Sequence, residues 1–493
     1  MAIGLAARRI TVFIATAIVL AGCANGLLRG GGVPPSVVHG GDGFFVSEAQ
    51  ERAIGRRAHP QLVSAYGGVY NNPQVDAMVK RIVERLSQAS DRNRRYKVTI
   101  LNAPRVNAFA LPGGYLYVTR GMVALANTES ELAAVLAHEM AHVIARHAIR
   151  RQQEIEATIA ATAAVAAPNT DQTIRAATVD SARSYIARFS QQQELEADTI
   201  GLKIAANAGY DPLSAAVILS AMSKKSSLRA KRFFAEFDPN ASEFLSTHPA
   251  PPERLAAILS ESRALGYASP VNDPVARATY IQSISGMLYS DDKVEGFVRG
   301  RRYIHPGLAL TFTVPPGYRI DNRPDAVNAI AADGSVMRFD GEPIEPNGTL
   351  RGYLEAVWSD GVNVTDIQDL TINGMRALSA RASSSGWEFR LFVFRWSQDR
   401  VFRMLFATRS INNLKDAAFL EAAQTVRRLA GDELARAKPL RLSAHQVRPG
   451  DTIQSLARTL PEEDNKEERF RVLNGLGDGQ PLRPNMWVKV VSD

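Results

Sequence analysis

The sequence predicts an α+β protein of several domains: a mainly helical domain with a small sheet, then an antiparallel α+β domain, then a compact carboxy-terminal module. Three observations predict it. A chain of 493 residues exceeds what one hydrophobic core usually fills. Its texture changes after about Asp291, from Ala-rich segments with apolar residues at helical spacing to short strand-like runs separated by turn residues. A further change falls near His445, where Gly450-Asp451-Thr452 supplies a turn and a helix cap.

The amino terminus comes first. Arg8 and Arg9 precede an apolar run from Ile10 to Leu20, too short for a typical spanning helix, so residues 1–22 read as a signal peptide. Leu20-Ala21-Gly22-Cys23 resembles a bacterial lipobox. That resemblance implies that Cys23 becomes the lipidated first residue, that the protein faces the periplasm, and, since Ala24 and not Asp follows, that its anchor lies in the outer membrane. Cys23 is the only cysteine, which excludes an intramolecular disulfide and a thiolate zinc site. Several acyl chains on it would make a durable anchor. Residues 23–45, with Gly30-Gly31-Gly32 and Pro34-Pro35, suit a flexible tether. Loss of Arg8 and Arg9 with the leader leaves 56 basic against 50 acidic residues, a balance of +6. That charge is spread along the chain with no zinc-finger spacing, P-loop or RNA-binding signature, so nucleic acid is not an expected partner.

Ordered structure is expected from near Ser47, with the first domain over residues 46–266. Val75, Met78, Val79, Ile82, Val83 and Leu86 trace an amphipathic helix after Asn72-Pro73, and Tyr96 to Leu101 reads as a strand. Gly114, Tyr115, Leu116 and Tyr117 open a second strand reaching Thr119. Two readings stand for it: an edge strand that pairs with an extended peptide, or an ordinary internal strand. Thr128-Glu129-Ser130-Glu131 has capping-box form, and Leu132, Val135, Leu136, Val143 and Ile144 follow at helical spacing.

That helix carries His138-Glu139-Met140-Ala141-His142. Residues four apart share a face, so two imidazoles can meet one zinc ion while Glu139 beside them acts as a base. Downstream, Gln191 to Asp198 begins a second helix, ending at Gly209, that offers Glu194 and Asp198 one turn apart. Glu196 is a rival ligand, but it lies about 200° around the helix from Glu194, so both cannot face the metal.

HExxH followed by ExxxD, preceded by Asn107-Ala108-Phe109-Ala110-Leu111-Pro112-Gly113-Gly114-Tyr115, resembles the HtpX/BepA-like zinc metallopeptidases, relatives of the CAAX prenyl proteases. The resemblance implies a zincin-type peptidase domain holding one Zn2+ per chain on His138, His142 and Glu194. It makes Glu139 the general base and Asp198 a partner that orients a ligand histidine. Ser246-Thr247-His248-Pro249 and Pro251-Pro252-Glu253-Arg254 also resemble the family's pattern. His248 has three open readings: a fourth ligand that keeps the enzyme latent, an oxyanion stabiliser, or a loop or capping histidine. Arg254 either stabilises charge or pairs with an acid. Ala157 to Ala167 is too short and too weakly apolar to span a membrane, and the region from Arg150 to Ser190 reads as a lid over the cleft.

Residues 267–295 connect to an α+β domain over 296–432. Leu308–Val314, Val336–Phe339, Ala377–Ala380, Trp387–Trp396 and Val401–Thr408 read as strands of an antiparallel sheet, closed by a helix from Phe419 to Leu429. This domain faintly resembles the PsbP/Mog-like group, and binding a partner or shaping access are its two open roles. His445 to Ala457, Leu473 to Leu476 and Leu482 to Val490 resemble a LysM domain at 443–492, which implies a βααβ fold and peptidoglycan binding. The acidic insert Pro461 to Glu468 departs from that pattern, so a packing module without sugar binding is the other reading. Together these resemblances imply a lipid-anchored periplasmic zinc metalloendopeptidase that cleaves misfolded or stalled periplasmic and outer-membrane proteins. The alternative is a latent-protease chaperone or assembly scaffold between outer membrane and peptidoglycan.

Overall fold

Ser47 opens the first helix with a reciprocal cap, its side chain accepting from the Gln50 N–H while the Gln50 side chain accepts from the Ser47 N–H. The computed structural model describes residues 46–90, 94–154, 190–234, 243–268, 273–323, 325–358 and 362–492. The expected signal peptide, the tether with Cys23, the Ala157–Ala167 run and most of the expected lid lie outside the described residues.

Helix α1 spans Glu48–Ala65 and α2 spans Pro73–Ala89, burying Val75, Met78, Val79, Ile82, Val83 and Leu86, the six positions that the periodicity singles out. Strands β1 (Lys97–Leu101), β2 (Ala108–Leu111) and β3 (Tyr115–Thr119) form a sheet of order β1-β3-β2. The edge-strand expectation for Gly114–Tyr117 is therefore corrected. β3 is central, parallel to β1 and antiparallel to β2, so both its backbone edges are already paired. Among the described residues, the outer edge of β2, whose residues line the cavity beside the site, carries no further strand.

Helix α3 (Arg120–Leu125) leads to α4 (Glu129–Ile144). Thr128 accepts from the Glu131 N–H as expected, but the Glu131 carboxylate accepts from the Asn127 N–H, so only half of the expected box forms. Every residue of α4 from Glu131 to Val143 is buried, which fits its apolar and Ala-rich composition. Helices α5 (Gln191–Asn207), α6 (Ser214–Arg232), α7 (Glu243–Thr247), α8 (Pro252–Ala264) and α9 (Pro274–Ser283) surround it. Among the described residues, no helix is long and apolar enough to cross a membrane.

The central region holds two antiparallel sheets, where the sequence suggests one. Strands β4 (Phe297–Arg299), β5 (Arg302–His305) and β6 (Leu310–Thr313) belong to the smaller sheet. Strands β7 (Arg319–Asn322), β8 (Val327–Ile330), β9 (Val336–Pro343), β10 (Val364–Ile372), β11 (Met375–Ser384), β12 (Trp387–Arg395) and β13 (Arg400–Thr408) make the larger one, in the order β10-β11-β12-β13-β9-β8-β7. β12 explains why the run Trp387–Trp396 is so apolar. Phe392 and Phe394 face one core with Phe406 and Phe419, while Leu391 and Val393 face a second core with Trp387 and Leu405. A short helix, α10 (Leu350–Tyr353), continued by a π-helical turn over Leu354–Trp358, lies between β9 and β10. The closing helix expected over Phe419–Leu429 is corrected to α11, Asn413–Gln424. Asn412 caps its start, and Arg427–Arg428 is drawn out as strand β14 against β6.

The last segment contains α12 (Gly431–Arg436), β15 (Arg441–Gln446), α13 (Ile453–Ala457), α14 (Lys466–Leu473) and β16 (Trp487–Ser492), with β15 and β16 antiparallel. It shares one core with the first domain: Leu442, Phe470, Leu473 and Val488 lie in the cluster that also holds Met78, Leu125, Leu136 and, from α9, Tyr280. Lys489 fastens this joint. Fully buried, it donates to the carbonyls of Ala124, Leu125 and Ala126 at 2.7, 3.2 and 2.8 Å, oxygens that the end of α3 leaves without helical partners. Burial and the nearby Arg277 hold its pKa well below the usual ammonium value, against the opposing Glu131 carboxylate.

The larger sheet docks on α6 through Arg229, 3.0 Å from the buried Asp321, which Arg323 also contacts at 2.8 Å. Burial alone would raise the Asp321 pKa, but Arg229 and Arg323 bring it down to about 2. A depressed carboxylate pKa contributes stability that is present above the unfolded pKa and lost on acidification. Asp321→Asn is expected to cost about 2 kcal/mol at pH 7, with the difference from the parent vanishing between about pH 4 and pH 2, as read by urea midpoints across that range. Lys489→Met, which strips three buried carbonyls of their donor, is expected to destabilise the chain by about 2–4 kcal/mol in the same measurement.

Candidate metal centre

Helical spacing alone places His138 and His142 on one face of α4, and their rings meet with centroids 4.6 Å apart at 78°. The second half of the site arrives on α5, which crosses α4 at Gly201. A Cβ built there would lie 3.1 Å from the His138 nitrogen and 3.2 Å from the Ala137 carbonyl carbon, so glycine lets the two backbones touch. One and two turns earlier on α5, Asp198 and Glu194 reach the histidines.

The groups are buried and close. Glu194 lies 3.4 Å from His138 Nε2 through one oxygen and 3.4 Å from His142 Nε2 through the other. The two Nε2 atoms are 3.0 Å apart. Asp198 Oδ1 accepts from His138 Nδ1 at 2.9 Å, so that His138 in its neutral form directs an Nε2 lone pair into the cluster. His248, fully buried, brings Nδ1 to 3.0 Å from Glu194 Oε1 and 3.3 Å from His138 Nε2. One donor atom from each of His138, His142, Glu194 and His248 falls within 4.8 Å of the others.

Electrostatics separates these groups. Burial alone would make Glu194 neutral, but His248, His138 and His142 hold its pKa well below the usual carboxylate range. Burial also works against a charged His138, yet its contacts with Asp198 and Glu194 raise its pKa to about 9. His142 moves the other way, well below the usual imidazole value, because burial outweighs its bond to Glu194. Glu139 is pushed up by burial, against the pull of His248 and His138, making it a stronger base than a solvated carboxylate. Its Oε1 has no hydrogen-bond partner among the described residues, and His248 Nε2 stands 3.6 Å away.

These donors fit a divalent cation. Converging imidazole lone pairs and an ionised carboxylate in a buried pocket are a zinc-type ligand set, and the unbonded Glu139 oxygen beside it is placed to handle a proton. Arg254 lies outside this set and pairs with acids: its Nε and Nη2 donate to the two oxygens of Asp198 at 2.6 and 2.9 Å, and its Nη1 lies 2.6 Å from Glu194 Oε2. Glu196 faces away from Glu194, as the helical angle requires, and accepts from His147. No sequence motif pointed to His147, which is fully buried with its ring centroid 4.8 Å from that of His142. Next to the cluster, Phe109, Ala110 and Leu111 of β2, with Glu139, His142, Val143 and His248, line a cavity of about 220 Å³. Tyr115 and Tyr117 lie behind β2, where Tyr117 stacks on Phe109 with centroids 5.0 Å apart and takes His59 as a hydrogen-bond partner at 2.7 Å.

Residues 71–262, which contain the whole cluster, match the profile of Peptidase family M48. The chain is similar to the beta-barrel assembly-enhancing protease of Escherichia coli strain K12, 28% identical over 224 residues, 43% of this chain and 44% of that protein. It is similar to the putative beta-barrel assembly-enhancing protease of Vibrio cholerae, 29% identical over 253 residues, 49% of this chain and 50% of that protein. It is also similar to the mitochondrial metalloendopeptidase OMA1 of Schizosaccharomyces pombe, 28% identical over 211 residues, 42% of this chain and 60% of that protein. The chain thus spans about half the length of the curated relatives it matches.

The Gly201 contact has a direct consequence. Gly201→Ala is expected to push α5 off α4, costing about 1–3 kcal/mol of stability and loosening Glu194 and Asp198 together. The check is a lower unfolding midpoint with faster loss of an added divalent metal to a chelator; unchanged metal retention would sink the account.

Proposed function

Because residues 71–262 carry an M48 peptidase domain, we propose that this chain is a zinc-dependent metalloendopeptidase of the bacterial envelope. The observation that carries the reading is the convergence of His138, His142 and Glu194 beside a buried, unbonded Glu139 oxygen. His138, His142 and Glu194 would hold one Zn2+, which supplies Lewis acidity to polarise a scissile carbonyl and acidify water. Glu139 takes the proton of the attacking water at a carboxylate oxygen. It then returns that proton to the departing amine nitrogen as the C–N bond breaks, so the acid and base roles balance.

The free edge of β2 is the place for substrate. An extended peptide adding to Ala108–Leu111 would run past Glu139 and drop side chains into the adjoining cavity. Edge pairing needs extended backbone, which favours unfolded or misassembled proteins over folded domains.

In this conformation, His248 stands among the donors. A fourth protein donor occupies the position that attacking water needs, so the conformation reads as a latent one, opened by withdrawal of His248. The same observation favours a second reading, a chaperone or assembly scaffold whose peptidase is seldom released. The lipobox-like Leu20-Ala21-Gly22-Cys23 supports outer-membrane anchoring on the periplasmic side, and the names of the bacterial relatives fit outer-membrane protein substrates. The strand, helix, helix, strand order after Leu440 is consistent with a LysM-like domain that binds peptidoglycan.

The test compares cleavage of an unfolded protein by the parent, Glu139→Gln and His248→Ala, each with its zinc content measured. Glu139→Gln is expected to keep zinc and lose about 10²–10⁴-fold in rate. His248→Ala is expected to cleave faster than the parent, and removal of zinc by a chelator should abolish cleavage in both. Zinc bound with no cleavage by any form would favour the scaffold; absence of zinc binding would end the peptidase reading.

A further inference from the structure

We propose that His147 and Glu196 form a positioning relay that fixes the tautomer of His142 and so presents its Nε2 lone pair to the metal. The inference rests on the zinc reading above and concerns two residues outside the ligand set.

The relay is built by a break in the helix. After α4 ends, Arg146 adopts a left-handed conformation at φ 59°, with its side chain anchored to Glu51 and to the Val46 carbonyl. That conformation is costly for a residue with a Cβ, so the anchor matters. The turn folds the start of the next helical segment, 147–154, back toward the site and delivers His147 Nδ1 to 2.8 Å from His142 Nδ1. The other nitrogen of His147 lies 3.1 Å from Glu196 Oε2, an oxygen also held by Arg150 at 3.1 Å.

Proton accounting then proceeds inward from the surface. Glu196, paired with Arg150, is an ionised carboxylate and can only accept, so the proton of His147 resides on Nε2. Complete burial favours a neutral His147, whose Nδ1 is left with a lone pair. The short contact to His142 Nδ1 therefore requires His142 to donate there. His142 Nε2 is left without a proton, facing His138 Nε2 at 3.0 Å. Asp198 places the His138 proton on Nδ1 in the same way. When both histidines are neutral, as metal binding requires, their two Nε2 lone pairs face each other at hydrogen-bond distance, an arrangement that a shared cation satisfies. Without the relay, His142 could carry its proton on Nε2 and donate to His138 or Glu194, closing the site to metal.

Zinc affinity, measured on the full chain by competition with a chelator, separates this role from packing. His147→Asn keeps an amide oxygen near the position of Nδ1, whereas His147→Leu fills the space without an acceptor. Glu196→Leu alters a side chain that is 40% exposed, so it tests the relay without opening the core. Both Leu variants are expected to bind zinc about 10–100-fold more weakly than the parent, with His147→Asn within about threefold of it. Unchanged affinity in either Leu variant, or an equal loss in His147→Asn and His147→Leu, would overturn the relay. A parent that binds no zinc would instead refute the underlying metal reading, a failure visible before any variant is compared.

Discussion

The guanidinium of Arg254 is the interaction on which the site depends. Glu194 and Asp198 are both buried on α5, and an unpaired buried carboxylate is costly enough either to neutralise or to unfold its surroundings. Arg254, buried itself, spans both acids with its fork and spends its remaining N–H capacity on the carbonyls of His248 and Pro249. One side chain of α8 thereby pairs with two acids of α5, holds the Asp198 pKa down, and ties down the loop that brings His248 to the histidines of α4. A lysine could not replace it, because a single ammonium cannot meet two carboxylates and two carbonyls in fixed directions.

The three acids of α5 show how one helix assigns different work to similar groups. Glu194 and Asp198, one turn apart, face α4: the first lies among the imidazole nitrogens and the second holds His138 in one tautomer. Glu196 lies on the other side of the same helix, where it meets His147 and Arg150. Both ligand-candidate histidines of α4 are thus backed by a carboxylate, one directly and one through an intervening imidazole. Gly201 makes the close crossing possible, because a Cβ there would press on the backbone of Ala137 and His138.

The carboxy-terminal segment is bound into the first domain by more than proximity. Lys489 completes the hydrogen bonding of α3, and Arg277 of α9 donates to the carbonyls of Asn474 and Trp487. The larger sheet of the central region is attached differently, through the ion pair of Asp321 with Arg229, while both its faces carry cores of their own.

What the sequence determined by itself is whatever follows from spacing along one element. HExxH on an apolar helix, Glu194 and Asp198 one turn apart, and the six buried positions of α2 are consequences of the 3.6-residue repeat, and the structure contains each in place. Four strands of the larger sheet, β9, β11, β12 and β13, were legible from their apolar and β-branched runs; β7 and β8, and β4 and β5 of the smaller sheet, were not, being three or four residues each, and β10 is largely exposed. Tertiary structure alone decided that β3 is central and β2 outer among the described residues, because Tyr115–Thr119 is apolar enough for either place and only the pairing order separates them. It alone decided that Arg254 serves Glu194 and Asp198, that Lys489 caps a helix more than 360 residues away, and that His147 turns back on His142. Such partners meet across long sequence separations, where the local repeat carries no information and the need to satisfy every buried polar group selects the pair.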